Sequence, residues 1–285
     1  MMKRSKIALI CAGFLLLASG LFLLQRDDVQ QQIVQQELAE YAPSPQVIAA
    51  MEEKLSSLQT TLITTSKTEK VTEFSHISTC EVKTEASVTA INTTTQTTIT
   101  TTTQTTAEAE LSSEIQNQIA WLYIPETNIN HPVMYSGDNE FYLHRAYDGS
   151  YLYAGSVFLD GRCSPDFSGT VSILYGHHMN NGSMFADVEK FMDEAFFEYH
   201  PYGWLFATDT TYCVEFFSAA LVDHTDAVYE PALDMESRLT LLRQKSTQFR
   251  EISIAKNDCL LTLSTCSTAG EDLRVIVTGR LIPVE

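Results

Sequence analysis

The C-terminal part of this 285-residue chain is predicted to be a mainly β domain with flanking helices. Three observations support this: many short β-branched and aromatic stretches bounded by turn residues, two stretches with helical spacing, and a domain-sized length from residue 111 onward. Many short strands of this kind favour a closed barrel or a sandwich.

Seven stretches are rich in Val, Ile, Thr, Tyr or Phe and read as strands. They are Ala120 to Ile124, Gly155 to Leu159, Thr170 to Tyr175, Gly203 to Thr208, Tyr212 to Val222, Cys259 to Thr265 and Arg274 to Ile282.

Two helices are predicted from apolar residues that recur at helical spacing. The first follows Gly182 and Ser183 and runs from Phe185 to Tyr199. The second follows Pro231, which suits a first helical turn, and runs from Met235 to Phe249. Both apolar faces are expected to pack on the strands.

Residues 1–28 are predicted to be a cytoplasmic N-terminus and a transmembrane anchor. Lys3, Arg4 and Lys6 precede the uncharged apolar run from Ile7 to Leu24. This run is longer than the core of a cleaved signal peptide and approaches the roughly 20 residues that span a bilayer. The positive-inside rule then predicts a single-pass protein of the cell membrane, with its N-terminus inside and everything after Leu24 outside.

Residues 29–110 are predicted to be an extracellular stem and linker. A helical stem from Val29 to about Leu62 is interrupted by Pro43 and Pro45. From Thr60 to Thr106 the chain is dominated by threonine, without the apolar period of a core, so we expect a disordered stalk. A tether that carries residues 111–285 away from the membrane would explain this tract, and an unselected linker fits almost as well.

The net charge of −18 argues against nucleic acid as a partner. From Leu111 onward there are 10 Lys and Arg against 24 Asp and Glu, a net charge of −14. Such a surface repels phosphate backbones but tolerates a cationic or amine-bearing substrate.

The cysteines predict few or no disulfides and at least one free thiol. Of the six, Cys11 lies in the apolar run and Cys80 in the polar tract, which leaves four in the C-terminal part. These four are not closely spaced, and a domain of this size can bury a core without disulfides.

A predicted β-hairpin brings Cys266 close to Arg274. The strand that starts at Cys259 ends in Cys266, a polar loop covers Ser267 to Asp272, and the next strand opens at Arg274. A thiol attacks a carbonyl as thiolate and needs a cationic or basic neighbour to form it at neutral pH. A lone cysteine at a strand end is more often a small buried hydrophobe, so the hairpin alone does not settle its role.

A second feature is a strand that breaks at Gly176 and is followed by His177 and His178 in a loop. Loops at strand ends often carry working side chains. Two solvated histidines or a metal site are the alternatives, although no accompanying pattern has the spacing of metal ligands.

Several segments together resemble the sortases, specifically class B. The two carrying catalytic residues are Tyr175 to Met179 and Thr262 to Cys266 with Arg274 after it, in the family's order His, Cys, Arg. Similar segments also occur at Trp121 to Pro125, Pro132 to Met134, Gly137 to Leu143, Ala154 to Asp160 and Gly182 to Phe185, so the resemblance covers about residues 112–285.

This resemblance implies a closed eight-stranded β-barrel with flanking helices, one of them an insertion between Glu230 and Arg250. It implies Cys266 as nucleophile, His177 as general acid and base, and Arg274 as the cation near the oxyanion. His178 and Arg280 are the competing choices; Arg280 lies about 20 Å along the strand from Arg274. By the same matching, the substrate groove would be lined by Asn139, Tyr175, Ser264 and Thr265.

The implied reaction is transpeptidation. The enzyme would cleave a C-terminal sorting motif of a secreted protein through a Cys266 thioester and transfer the acyl group to an amine of a peptidoglycan precursor or of a pilin. No metal or organic cofactor is implied; calcium assists some sortases, but the sequence offers no clear site. A cysteine hydrolase of wall peptides and a non-catalytic stalked adhesin remain the alternative functions.

Overall fold

The computed structural model describes residues 29–54 and 115–284. The chain divides into two compact units, one formed by residues up to Pro43 together with Glu110–Glu285 and the other by Ser44–Ala109. The predicted anchor and the whole of the Thr-rich stalk lie outside the described residues. Within the described ranges, no helix is both long and apolar enough to cross a membrane.

The described residues form nine strands, eight of which close into a barrel. The strands are β1 (Gln118–Tyr123), β2 (Asn130–Met134), β3 (Val157–Leu159), β4 (Val171–Tyr175), β5 (Tyr202–Ala207), β6 (Thr211–Asp223), β7 (Ser246–Phe249), β8 (Cys259–Ser267) and β9 (Gly270–Val284). The order around the barrel is β1, β2, β3, β4, β8, β9, β6 and β5, and the pairing of β5 with β1 closes the ring. Strand β7 pairs with β6 outside the ring.

All seven predicted strands are present, with shifts of a few residues at their ends. Two strands were missed. The first is β2, where Pro132 has no N–H to donate to a neighbouring strand and so argues against a strand in the sequence. In the structure Pro132 nevertheless lies opposite Trp121 in the pairing with β1. β7 was hidden in the predicted second helix.

Both predicted helices are interrupted or shorter than expected. The first consists of a 3-10 helix (Ala186–Met192) followed by α3 (Glu194–Tyr199), because Asp193 leaves the helical conformation and accepts a hydrogen bond from Phe196 N at 3.0 Å as the cap of α3.

The second helix, α4 (Met235–Lys245), starts after the cap Asp234 rather than at Pro231. It ends before Phe249, because Ser246 to Phe249 extend to pair with β6. The prediction of a helix through Phe249 was therefore wrong.

Two helices precede the barrel in the chain. Within the described residues, helix α1 covers 29–38 and α2 covers 45–54, so residues 29–54 of the predicted stem are helical with an interruption over 39–44, which agrees with the prediction over that part. Pro45 opens α2, the position where a proline costs no hydrogen bond. Helix α1 belongs to the same compact unit as the barrel, where Val34 and Leu38 are buried.

The barrel interior holds a continuous apolar core. Trp121 on β1 and Trp204 on β5 are almost completely buried and lie on paired strands. Strand β8 is buried from Leu260 to Thr265, because β4 and β9 flank it on both sides. This central position gives the end of β8 a firm support.

Gly279 is expected to be intolerant of any side chain. It lies on β9 where β6 pairs, and a Cβ there would come within 2.6 Å of Val214 Cγ1 and 3.0 Å of Glu215 O. Because Val214 is fully buried, the paired strands β6 and β9 (the β6–β9 seam) cannot move apart without a large cost in free energy. Gly279→Ala should therefore reduce the free energy of unfolding by about 1–3 kcal/mol, measured by urea unfolding of the full-length chain.

Gly169→Ala is the matched control, since the nearest atom to its Cβ would be Val171 O at an ordinary 3.6 Å. Its effect should stay within about 1 kcal/mol of zero. Equal midpoints for the two variants would show that the β6–β9 seam is not tightly packed.

Candidate active site

All seven predicted site residues line one open cleft of about 420 Å³ at the end of the barrel. The three with predicted catalytic roles are His177, Cys266 and Arg274. The other four are Asn139, Tyr175, Ser264 and Thr265. Strands β4, β8 and β9 carry five of the seven, and His177 lies two residues after the end of β4. Asn139 comes from the segment before the 3-10 helix Phe141–His144.

Cys266 lies directly opposite Arg274 in the antiparallel pairing of β8 with β9. This confirms the predicted proximity, although the connection is shorter than expected: the strands continue to Ser267 and restart at Gly270. The register shifts immediately after Cys266, so the ladder is irregular at this point.

Cys266 is the one exposed thiol among the four cysteines in the described part of the chain, and all four are free. Burial raises the pKa of the Cys163 and Cys259 thiols, and raises that of Cys213 to about 12. These three therefore stay protonated at neutral pH, while Cys266 is open to a ligand in the cleft.

The guanidinium of Arg274 is held by its own hairpin. Its Nη1 donates to Glu271 O at 2.8 Å and to Leu273 O at 3.0 Å. Within residues 115–284 no protein group accepts a hydrogen bond from its Nε or Nη2. These donors are thus available to a negatively charged oxygen in the cleft.

Arg280, the competing arginine, has a structural role. Its Nη2 donates to Glu215 Oε2 at 2.7 Å, its Nη1 donates to Ser253 O, and Asp258 lies nearby. It does not line the cleft.

The parallel pairing of β4 with β8 fixes the position of His177. Tyr175 lies opposite Ser264, Gly176 N donates to Ser264 O at 3.2 Å, and Thr265 Oγ1 donates to Gly176 O at 2.8 Å. The residue after Gly176 is therefore held beside the strand that carries Cys266.

The imidazole of His177 is oriented by its neighbours. Nε2–H donates to Leu143 O at 2.9 Å, and the ring stacks on His144 with centroids 5.3 Å apart. Burial lowers the pKa of His177, the hydrogen bond to the Leu143 carbonyl opposes this, and His144 adds a smaller lowering effect, so the net shift is downward. At neutral pH the ring is thus neutral, with Nδ1 as its proton acceptor.

His178 lies outside the cleft. Its Nε2 contacts Glu189 Oε2 at 2.9 Å, and it lines a separate depression beside the loop that follows β4. The two consecutive histidines therefore face different surroundings, as expected from their adjacent positions.

The predicted groove residues mostly support the cleft from below. Ser264 and Thr265 are buried, and their hydroxyls are bonded to Tyr229 and to the Gly176 carbonyl. Asn139 is exposed and accepts a hydrogen bond from Gly161 N at 2.8 Å.

Tyr175 is part of an ionic network around the buried Asp160 carboxylate, in which the Arg162 side chain remains half-exposed. Its hydroxyl donates to Asp160 Oδ2 at 2.9 Å, and Asp160, which has no exposed surface, also pairs with Arg162 at 2.7 Å. Burial and the Asp160 charge raise the pKa of Tyr175, so this phenol stays protonated and donating.

Sequence reasoning missed a second lobe of the cleft, about 360 Å³ in volume. It shares Tyr175, His224, Ser264 and Arg274 with the first lobe and is otherwise formed largely by the connection from β6 to α4. Tyr229 is its main addition: its hydroxyl lies 2.8 Å from Ser264 Oγ and its ring stacks on Tyr175. Nothing in the local sequence pattern separates this tyrosine from a core residue.

Comparison with known proteins identifies the family and its fold. The Sortase domain model matches residues 122–282, which is more than half of the chain. Sortase B of Listeria monocytogenes is 35% identical over 174 residues, 59% of this chain and 70% of that protein.

Two solved structures are similar over the barrel. A Streptococcus pyogenes class B sortase involved in pilus biogenesis has a TM-score of 0.55 and 29% identity, covering 58% of this chain and 92% of that one. A Staphylococcus aureus sortase B–substrate complex has a TM-score of 0.56 and 26% identity, covering 60% and 82%.

The chain therefore belongs to the sortase family, the cysteine transpeptidases that link surface proteins. Within that family it is a class B sortase, and the closed eight-stranded barrel with flanking helices is the expected fold.

The Asp160 network should make stability depend on acid pH. Burial alone raises the pKa of Asp160, but hydrogen bonds from Arg162 and Tyr175 outweigh it, so the folded pKa lies below the usual value near 4. The contribution of this carboxylate is then complete above the unfolded pKa and is lost as the pH falls through the folded pKa.

Asp160→Asn should reduce the free energy of unfolding at pH 7 by about 1–3 kcal/mol. The free energy of unfolding of this variant should also fall less steeply than that of wild type between about pH 5 and pH 3. Urea unfolding at each pH measures it. Asp209→Asn, at an exposed position, is the control that should retain the wild-type slope. If the free energy of unfolding falls equally steeply with decreasing pH in wild type and in Asp160→Asn, the proposed role of this carboxylate is contradicted.

Proposed function

We propose that this class B sortase cleaves a C-terminal sorting motif of secreted proteins with Cys266 as nucleophile, His177 as acid and base, and Arg274 as the oxyanion cation. The observation that carries the proposal is the pairing of exposed Cys266 with Arg274 across the hairpin, in the cleft that also holds His177. The hydroxyls and amide of Asn139, Tyr175, Ser264 and Thr265 shape the groove in which the motif lies.

The first step is acyl transfer to the enzyme. Neutral His177 accepts the Cys266 proton at Nδ1, and the resulting thiolate attacks the scissile carbonyl carbon. The free donors of Arg274 bind the oxyanion as it develops, which lowers the barrier most at that stage. When the intermediate collapses, the C–N bond breaks, the His177 imidazolium protonates the departing amine, and a thioester remains on Cys266.

The second step reverses these roles. An acceptor amine attacks the thioester carbonyl while His177 removes its proton, the thiolate of Cys266 leaves, and an amide forms. Both steps close without a metal or an organic cofactor. The acceptor is an amine of a peptidoglycan precursor or of a pilin; the pilus role of the S. pyogenes relative supports the second source.

The N-terminal segments support an extracellular location. The apolar run from Ile7 to Leu24 would anchor the chain with its N-terminus inside, and the Thr-rich tract would act as the stalk that carries the barrel outward. The acidic surface of the domain suits substrates that carry amines and disfavours nucleic acid.

A product assay tests the reaction. The full-length chain, wild type and Cys266→Ala, is incubated with a library of sorting-motif peptides and an amine acceptor, and the products are read by mass spectrometry. We expect an amide product and a thioester on Cys266 from wild type alone, because the thiolate is the nucleophile. Free acids alone would favour a hydrolase, and the absence of any Cys266-dependent product would favour an inert adhesin.

Substitutions of Arg274 and of Arg280 should have different effects on kcat, because only Arg274 is proposed to act in catalysis. Arg274→Ala removes the donors for the oxyanion and should lower kcat by about 10²–10³-fold. Arg274→Lys should recover little, because an ammonium does not reproduce the guanidinium fork. Arg280→Lys retains the charge facing Glu215 and should keep kcat within about threefold of wild type. Equal losses at the two positions would contradict the assignment of Arg274.

A further inference from the structure

Glu189, on the 3-10 helix Ala186–Met192, binds the turn of the catalytic hairpin. Its Oε1 accepts hydrogen bonds from Thr268 Oγ1 at 2.7 Å, from Thr268 N at 3.1 Å and from Ser267 Oγ at 3.3 Å. Ser267 Oγ also accepts from Ala269 N at 3.1 Å, which closes the turn on itself. One carboxylate oxygen therefore organises the segment that joins β8 to β9.

The other oxygen of Glu189 binds the histidine loop. Oε2 lies 2.9 Å from His178 Nε2, and the two side chains are only 26% and 15% exposed. Burial raises the pKa of Glu189, but the Thr268 hydrogen bonds, His178 and Ser267 lower it by more, so the net shift is downward. Glu189 is thus an anion at neutral pH and makes charge-assisted bonds on both sides.

Two of the three residues bound by Glu189 are immediate chain neighbours of the proposed catalytic pair. Ser267 follows Cys266, and His178 follows His177. The β8–β9 register shifts between Cys266 and Ser267, so ladder hydrogen bonds alone do not fix the chain there. The same turn leads to Glu271, whose carbonyl accepts a hydrogen bond from the guanidinium of Arg274.

We propose that Glu189 is a positioning residue for acyl transfer, holding the His177 loop and the Cys266 hairpin at a fixed separation. The proposal rests on the function proposed above for Cys266 and His177. Glu189 does not line the cleft that contains them. Its effect is on geometry: a reacting pair displaced by about 1 Å can lose on the order of 10²-fold in rate.

Glu189→Ala should lower kcat by about 10–100-fold and change KM by less than about threefold, because the cleft itself is untouched. Glu189→Gln retains an acceptor for Thr268 at nearly the same volume, so it should restore kcat to within about fivefold of wild type. Both values are measured with the full-length chain, a sorting peptide and an amine acceptor.

A second measurement reads the geometry directly. Hydrogen–deuterium exchange at the Thr268 amide should speed up by at least about tenfold in Glu189→Ala, because that N–H loses its acceptor. Exchange in the ladder around Leu263 and Val277 should not change. Glu251→Ala removes an exposed carboxylate paired with Arg243 and is the control that should leave kcat and exchange unaltered.

Thr268→Val tests the same contact by changing the partner of Glu189. It keeps the proposal testable if the Glu189→Ala variant folds poorly. It removes the 2.7 Å hydroxyl bond but keeps the amide, so we expect a kcat loss of about 3–10-fold. In the double variant the losses should not multiply, since both changes break one contact.

The outcomes distinguish this inference from the proposed function. If wild type is active, and Glu189→Ala retains both its kcat and slow Thr268 exchange, the positioning role is wrong while the transpeptidase assignment of Cys266 stands. A drop in kcat that Glu189→Gln does not recover, with unchanged exchange, also overturns it. If wild type forms no product but Glu189→Ala speeds Thr268 exchange, the contact is real and the catalytic assignment fails.

Discussion

The register of β4, β8 and β9 is the constraint on which the site depends. Strand β8 is paired in parallel with β4 and antiparallel with β9, so the ends of three adjacent strands meet at one edge of the barrel. A slip of one residue in β8 would turn Cys266 away from the cleft and bring Thr265 to its position. The buried stretch from Leu260 to Thr265 opposes such a slip, because both of its faces are covered and the same shift would exchange Leu261 and Leu263 with hydroxyl-bearing residues.

Polar groups beneath the cleft provide the second constraint. Asp160, Arg162 and Tyr175 form an ionic network, and Tyr229 with Ser264 forms a buried hydroxyl pair beside it. Asp160, Tyr229 and Ser264 are buried, while Arg162 keeps about half of its side chain exposed. A buried polar group is costly unless it is bonded, and a satisfied network is correspondingly stiff. The floor of the cleft is therefore fixed before a substrate arrives, as expected for a site that must separate an amine nucleophile from water.

Much of the fold and the cleft could be predicted from the sequence, since strands with β-branched and aromatic residues between turns have a clear local signal. The hairpin prediction succeeded because Cys266 and Arg274 are close in sequence, where pairing geometry decides proximity. Strand β7 could not be predicted, because its residues continue the spacing of α4 and only pairing with β6 makes them extended. Tyr229 and Glu189 depend on contacts distant in sequence, and no periodicity marks either as different from a packing or surface residue.

The position of α1 links the N-terminal segment to the histidine loop. The side-chain amide of Gln31 donates to Ser183 Oγ and accepts from Asn181, and Glu37 accepts from Tyr147 OH at 3.2 Å. Asn181 and Ser183 belong to the loop that starts at Gly176 and leads to the 3-10 helix carrying Glu189. Because these contacts lie within one compact unit, residues 29–43 contribute to the folded domain. A fragment beginning at residue 111 would leave Ser183 and Tyr147 without these partners, so the catalytic unit is better defined by its contacts than by the change in composition along the chain.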